Sequence, residues 1–146
     1  MRGGRLSPIT ARGVERAALA LLGLGFVPVA FQAVFAPRSF FDDFPFGRGW
    51  VATDGQYNQH LVRDVGGLFL ALLIVTAAAL VWRSLVRPVA LAWLVQGVLH
   101  LAYHLSHLDA LAGADSALNV VSLGLVPALA VVALAASWRG QTASKR

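Results

Sequence analysis

The chain has 146 residues, 58% of them hydrophobic and only 13% charged, too little polar surface to coat a water-soluble globule of this size. That composition points to a membrane protein. The lack of cysteine excludes disulfides, thiolate metal centres and thiol nucleophiles, and the single methionine, Met1, leaves almost nothing to hold soft Cu(I).

Four apolar stretches, at about 16–36, 64–82, 88–108 and 117–138, each approach the roughly 20 residues that a helix needs to cross about 30 Å of hydrocarbon. The expected fold is all-α, an integral membrane antiparallel four-helix bundle forming a single domain over the whole chain. The first stretch is too long for the core of a cleaved signal peptide, and Ala36 is followed by Pro37 rather than by a cleavable small-residue site, so it is expected to stay as the first span. Pro28 and Pro127 fall inside the first and fourth spans and are expected to kink them, whereas Pro88 falls in the first turn of the third, where its missing N–H costs nothing.

The long connection 37–63 carries Phe40, Phe41, Phe44, Phe46, Trp50 and Tyr57 among Gly and Pro turn residues. Two readings stand open for it: an interfacial aromatic belt, or a lid over a cavity mouth. Asp42 and Asp43 are expected to face solvent. Gly23, Gly25, Gly66 and Gly67 are expected to let helices pack closely.

Asn58 is placed to cap the second span, where His60 stands one turn before Asp64 on the same face. The third span reads RPVALAWLVQGVLHLAYHLSHLD. At 100° per residue, Trp93, Gln96, His100, Tyr103, His104 and His107 fall within an arc of roughly 100°. His100 and His104 have the i, i+4 spacing that lets two imidazoles share one metal, with His104 and His107 as the other option. The fourth span begins with Asp115, Asn119 and Ser122 on one stripe, and Gln32 ends the first. These polar stripes are expected to converge on a cavity lined by Gln32, Gln96, Tyr103, Asn119 and Ser122, because polar groups at membrane depth are expensive unless they face the bundle interior or water. The tail 140–146 is expected to fray.

Charge sets the expected orientation. Arg2, Arg5, Arg12, Arg16, Arg83, Arg87, Arg139, Lys145 and Arg146 share one side with a single acid, Glu15, while six aspartates and three arginines share the other. By the positive-inside rule both termini are then cytoplasmic, with the cavity in the outer half. The cations form short juxtamembrane clusters without a basic domain, so no nucleic-acid partner is expected. The expected partners are the lipid bilayer and a second copy or a membrane complex. Eleven Arg to one Lys, among so many Ala, Gly, Val and Leu, is the usage of a GC-rich bacterial genome, which makes the bacterial inner membrane the expected location.

The segments Pro37-Arg38-Ser39-Phe40-Phe41 with Phe44-Pro45, and Tyr57-Asn58 followed by His60-Leu61-Val62-Arg63-Asp64-Val65-Gly66, resemble small uncharacterised integral membrane proteins of actinobacteria. The resemblance spans most of the chain and implies bacterial origin and membrane location without an activity. In its four-helix architecture alone the chain also looks like the DoxX-like proteins, some of which are linked with quinone-dependent oxidation.

Three functions stay open on this reading. The first is a redox or metal site with His100 and His104 as ligands and His60 or Asp64 closing the shell. Its nitrogen and oxygen donors suit Zn, Fe or Cu(II), and a haem version pairs His60 with His104 or His107. The second is a non-enzymatic accessory or scaffold subunit of a membrane complex. The third is a lipid- or small-molecule-binding bundle that uses the aromatic loop as a lid.

Overall fold

The computed structural model describes residues 8–142, with side chains over 10–139, and contains no strand among them. Helix α1 spans Pro8–Phe35, α2 Pro37–Asp43, α3 Gln59–Val81, α4 Val86–Leu105 and α5 Ala114–Thr142. Four of these, all but α2, are long and apolar enough to cross a membrane.

Each long helix begins earlier than its apolar stretch. Helix α1 starts at Pro8, a residue suited to a first helical turn, and its polar first turns are held by an ion pair from Glu15 to Arg83. Helix α3 starts at Gln59 because the Asn58 side chain accepts a hydrogen bond from the Leu61 N–H at 3.1 Å, the expected cap. Pro88 lies in the first turn of α4, as expected, and Pro28 and Pro127 are both helix-internal. Helix α4 ends at Leu105 rather than 108, so His107 falls beyond it. Helix α5 continues to Thr142, so the first residues of the expected frayed tail are helical, and residues 143–146 lie outside the described ones.

Helix α1 packs along both α3 and α5, and α5 along α4, while α3 and α4 meet only briefly. One end of the bundle gathers the start of α1, the tight α3–α4 turn and the end of α5, through Glu15–Arg83 and the hydrogen bond from Arg87 to Ser137; we call it the termini end. Its core is built from Leu19, Leu22, Val86, Ala90, Trp93, Ala130 and Ala133. Trp93 is fully buried and donates through Nε1 to Thr76 Oγ1 at 2.9 Å, and the Thr76 hydroxyl donates to the Leu72 carbonyl at 2.7 Å. This chain satisfies the Trp93 N–H, whereas the Trp50 Nε1 in the loop is buried without a partner among the described residues.

The other end carries the long loop, and close packing depends there on two glycines. A Cβ on Gly66 would lie 2.8 Å from Ala33 Cβ and 2.9 Å from the Val34 backbone N, and one on Gly97 would lie 2.8 Å from Val126 and 2.9 Å from Pro127. Gly66 thus fits the expected role. Gly25 and Gly67 do not, since nothing stands within 4 Å of a Cβ built on either, and at Gly23 the nearest atom is an ordinary 3.5 Å away. Gly97 was not among the glycines singled out from sequence, because its neighbours come from α5. Ala33, Phe40 and Val62, joined by Phe44, Val51 and Tyr57, form a second apolar cluster that seats the loop on α1 and α3.

Candidate functional site

Because α3 and α4 touch only briefly, the loop end of the bundle is left open and forms an open-sided cavity of about 670 Å³. Apolar side chains make most of its wall, among them Leu22, Phe26, Phe69, Leu123, Val126 and Leu129. The loop supplies Phe40, Phe44, Pro45, Phe46, Trp50 and Val51 as further lining. The loop thus forms part of the cavity wall. Asp42 and Asp43 are exposed, as expected, and are held by Arg38 and Ser39 on the same short helix.

Six polar residues interrupt this apolar lining: Arg48 and Asp54 from the loop, His100 and His104 from α4, and Asn119 and Ser122 from α5. The two histidine rings meet edge to face with centroids 4.9 Å apart, and the i, i+4 spacing accounts for the contact. Asp54 lies within electrostatic reach of His100. Arg48 is ion-paired to Asp115 at the start of α5, which ties the loop to that helix. Ser122 spends its hydroxyl on the Asn119 carbonyl at 2.9 Å.

Asn119 is only 7% exposed, yet among the described residues its side-chain amide hydrogen-bonds to no protein group. The imidazoles of His100 and His104 likewise make ring contacts only. Asn119, His100 and His104 therefore line one cavity with hydrogen-bonding capacity unspent, as do the Asp54 carboxylate and the buried Trp50 Nε1 among the described residues. His100 is exposed and His104 half-buried at the cavity's open side, so these groups are open to water or to a bound molecule.

The other residues singled out from sequence lie elsewhere. His60 and Asp64 face each other at 3.4 Å on the outside of α3, with side chains 87% and 57% exposed, and neither lines the cavity. His107 sits past the end of α4, its Nδ1 2.9 Å from the Tyr103 carbonyl and 3.0 Å from Ser106 Oγ, and its ring stacks on Tyr103 with centroids 4.3 Å apart. The turn at Ser106 breaks the helical register that placed His107 beside His104. Tyr103 is exposed, as is Gln32 on α1. Gln96 is part-buried, and its Oε1 is enclosed without a partner outside the cavity wall. Of the five residues expected to line a cavity, Asn119 and Ser122 do so.

This distribution bears on a metal. Protein zinc sites use at least three side-chain ligands, and among the described residues no group of three His, Cys, Asp or Glu side chains is arranged to hold an ion. His100 and His104 offer two. His60, the residue a haem would share with a histidine of α4, is exposed and does not line the cavity.

Arg48 and Asp54 were missed by sequence reasoning. The loop is seated on the bundle by apolar packing against Ala33 of α1 and Val62 of α3 and by the Arg48–Asp115 ion pair, and spacing carries no sign of that. No family model matches the chain, and no curated protein or solved structure matches it at a significant level.

Proposed function

We propose that this protein is a multi-pass bacterial inner-membrane protein, an antiparallel four-helix bundle with both termini cytoplasmic, that binds a small amphiphile in its loop-end cavity. The observation that carries this reading is the set of unspent polar groups, Asn119, His100 and His104, grouped with Arg48, Asp54 and Ser122 in a mostly apolar cavity. Ligand sites are typically concave volumes of about 300–1,000 Å³, mostly apolar with a few convergent polar groups, and this one falls in that range. An amphiphile's chain would lie against Phe26, Phe69, Val126 and Leu129, while its head group would take hydrogen bonds from the imidazoles and the amide.

A quinone suits this chemistry. Its two carbonyl oxygens are acceptors, its ring is flat and apolar on both faces, and Phe44 and Trp50 bring aromatic surface to the same space. The quinone link of the DoxX-like architecture points the same way as an analogy of shape. No reaction is assigned, since binding alone accounts for the residues present.

The test is a titration of the detergent-purified protein with a short-chain quinone, followed by quenching of tryptophan emission. Saturable binding is expected, weakened roughly fivefold for each hydrogen bond of about 1 kcal/mol removed in His104→Ala and Asn119→Ala. A dodecyl chain without a carbonyl head group should bind equally to wild type and variants. Quinone binding that both substitutions leave unchanged in folded protein would refute the proposal.

A further inference from the structure

We infer that the termini end of the bundle carries a second site, a cationic cleft that binds a phosphate group such as the head group of an anionic phospholipid. Arg12 and Arg16 of α1 and Arg83 of the α3–α4 turn line a cleft of about 150 Å³ together with Glu15, Leu80 and Val81.

Three guanidinium groups thus face one carboxylate, and that carboxylate is already engaged. Arg83 donates from Nε and Nη2 to the two oxygens of Glu15 at 2.9 and 3.3 Å, and the Glu15 side chain is 3% exposed against 31% for Arg83. An arginine has five N–H donors, so Arg83 keeps donors to offer to the cleft. Arg12 and Arg16 are exposed and, among the described residues, carry no ion pair. They stand at i, i+4 on one helix face, where like charges repel. An anion seated between them removes that repulsion.

The apolar side of the cleft selects the source of the phosphate. Leu80 and Val81 form its wall, and Val81 and Trp82 are large exposed apolar side chains at the end of α3. A lipid phosphate held by the arginines would lay its acyl chains along this surface, with the Trp82 indole at the level where such rings settle in a bilayer. Basic pockets between membrane helices are the usual receptors for anionic head groups.

The test compares retention of phosphatidylglycerol and phosphatidylcholine by native mass spectrometry of the full chain released from detergent, with inorganic phosphate titrated separately against thermal unfolding. The expected result is preferential retention of phosphatidylglycerol, reduced about 30-fold in Arg12→Gln/Arg16→Gln, which removes two surface guanidinium groups. The preference should be unchanged in Arg38→Gln/Arg63→Gln, which removes the same charge outside the cleft. Should the first double variant fail to fold, Arg12→Gln alone carries the same comparison at about fivefold. Stabilisation by inorganic phosphate that depends on Arg12 and Arg16, without preference between the lipids, would support the cleft as a site for free phosphate. Equal retention of both lipids with no response to phosphate would overturn the inference, as would an equal loss of preference in the Arg38/Arg63 control.

Discussion

Replacing Gly66 by alanine tests whether the bundle depends on close approach of α1 and α3 at the loop end. The new Cβ would meet Ala33 Cβ and Val34 Cγ2 at 2.8 Å and the Val34 backbone N at 2.9 Å, against the roughly 3.5–4 Å at which carbon atoms pack. Two of these three atoms belong to groups that cannot rotate away, a β-carbon and a main-chain nitrogen, so the helices themselves must move apart by most of an ångström. Overpacking of this kind costs about 1–3 kcal/mol. Any gain in helix propensity from removing a glycine, up to about 1 kcal/mol, offsets only part of it. Gly67 is the matched control, because it shares the helix and nothing stands within 4 Å of its Cβ position. In thermal unfolding followed by tryptophan emission, Gly66→Ala is expected to melt several degrees lower, at roughly 3 °C per kcal/mol, and Gly67→Ala at or slightly above wild type. Ala33 also belongs to the cluster that seats the loop, so Gly66→Ala should weaken quinone binding as well. Equal melting of the two variants would refute the packing argument.

Three further outcomes follow from the same contacts. Thr76→Val leaves the buried Trp93 N–H without its acceptor and is expected to cost about 1 kcal/mol, the scale of hydrogen bonds between membrane helices, with a shift in Trp93 emission; unaltered melting and emission would show that the bond carries no net weight. Arg83→Ala strands the buried Glu15 carboxylate and should cost about 3 kcal/mol or more, whereas Glu15→Leu/Arg83→Met removes both charges and should restore much of it; the comparison is read in the melting temperatures of both variants. Arg48→Ala breaks the loop's ion pair to Asp115, whose partners are 45% and 31% exposed, so global stability should fall by less than about 1 kcal/mol, while hydrogen exchange across residues 44–54 should rise; unchanged exchange there would mean that the apolar contacts alone hold the loop.

The amino-acid sequence by itself determined that the chain is helical and has four helices long and apolar enough to cross a membrane, because runs of about 20 mostly apolar residues favour the helix, which satisfies its own backbone hydrogen bonds. It also determined the Asn58 cap, the place of Pro88 and the pairing of His100 with His104, all of which depend on spacings of a turn or less. It misplaced the helix ends, since helices run on into polar residues beyond their apolar stretches, α1 from Pro8 and α3 from Gln59 behind the Asn58 cap, where hydropathy carries no signal. Tertiary structure alone decided which polar groups share a space. The helical stripe grouped His107, Tyr103 and Gln96 with His104, but none of the three lines the cavity, and His107 falls past the turn at Ser106 where it stacks on the exposed Tyr103. Arg48 and Asp54 enter the site because apolar packing and the Arg48–Asp115 ion pair seat the loop on the bundle. Periodicity fixes the face that a residue occupies on its own helix, whereas a cavity is made where two helices fail to meet, and that depends on the side chains of every element around it.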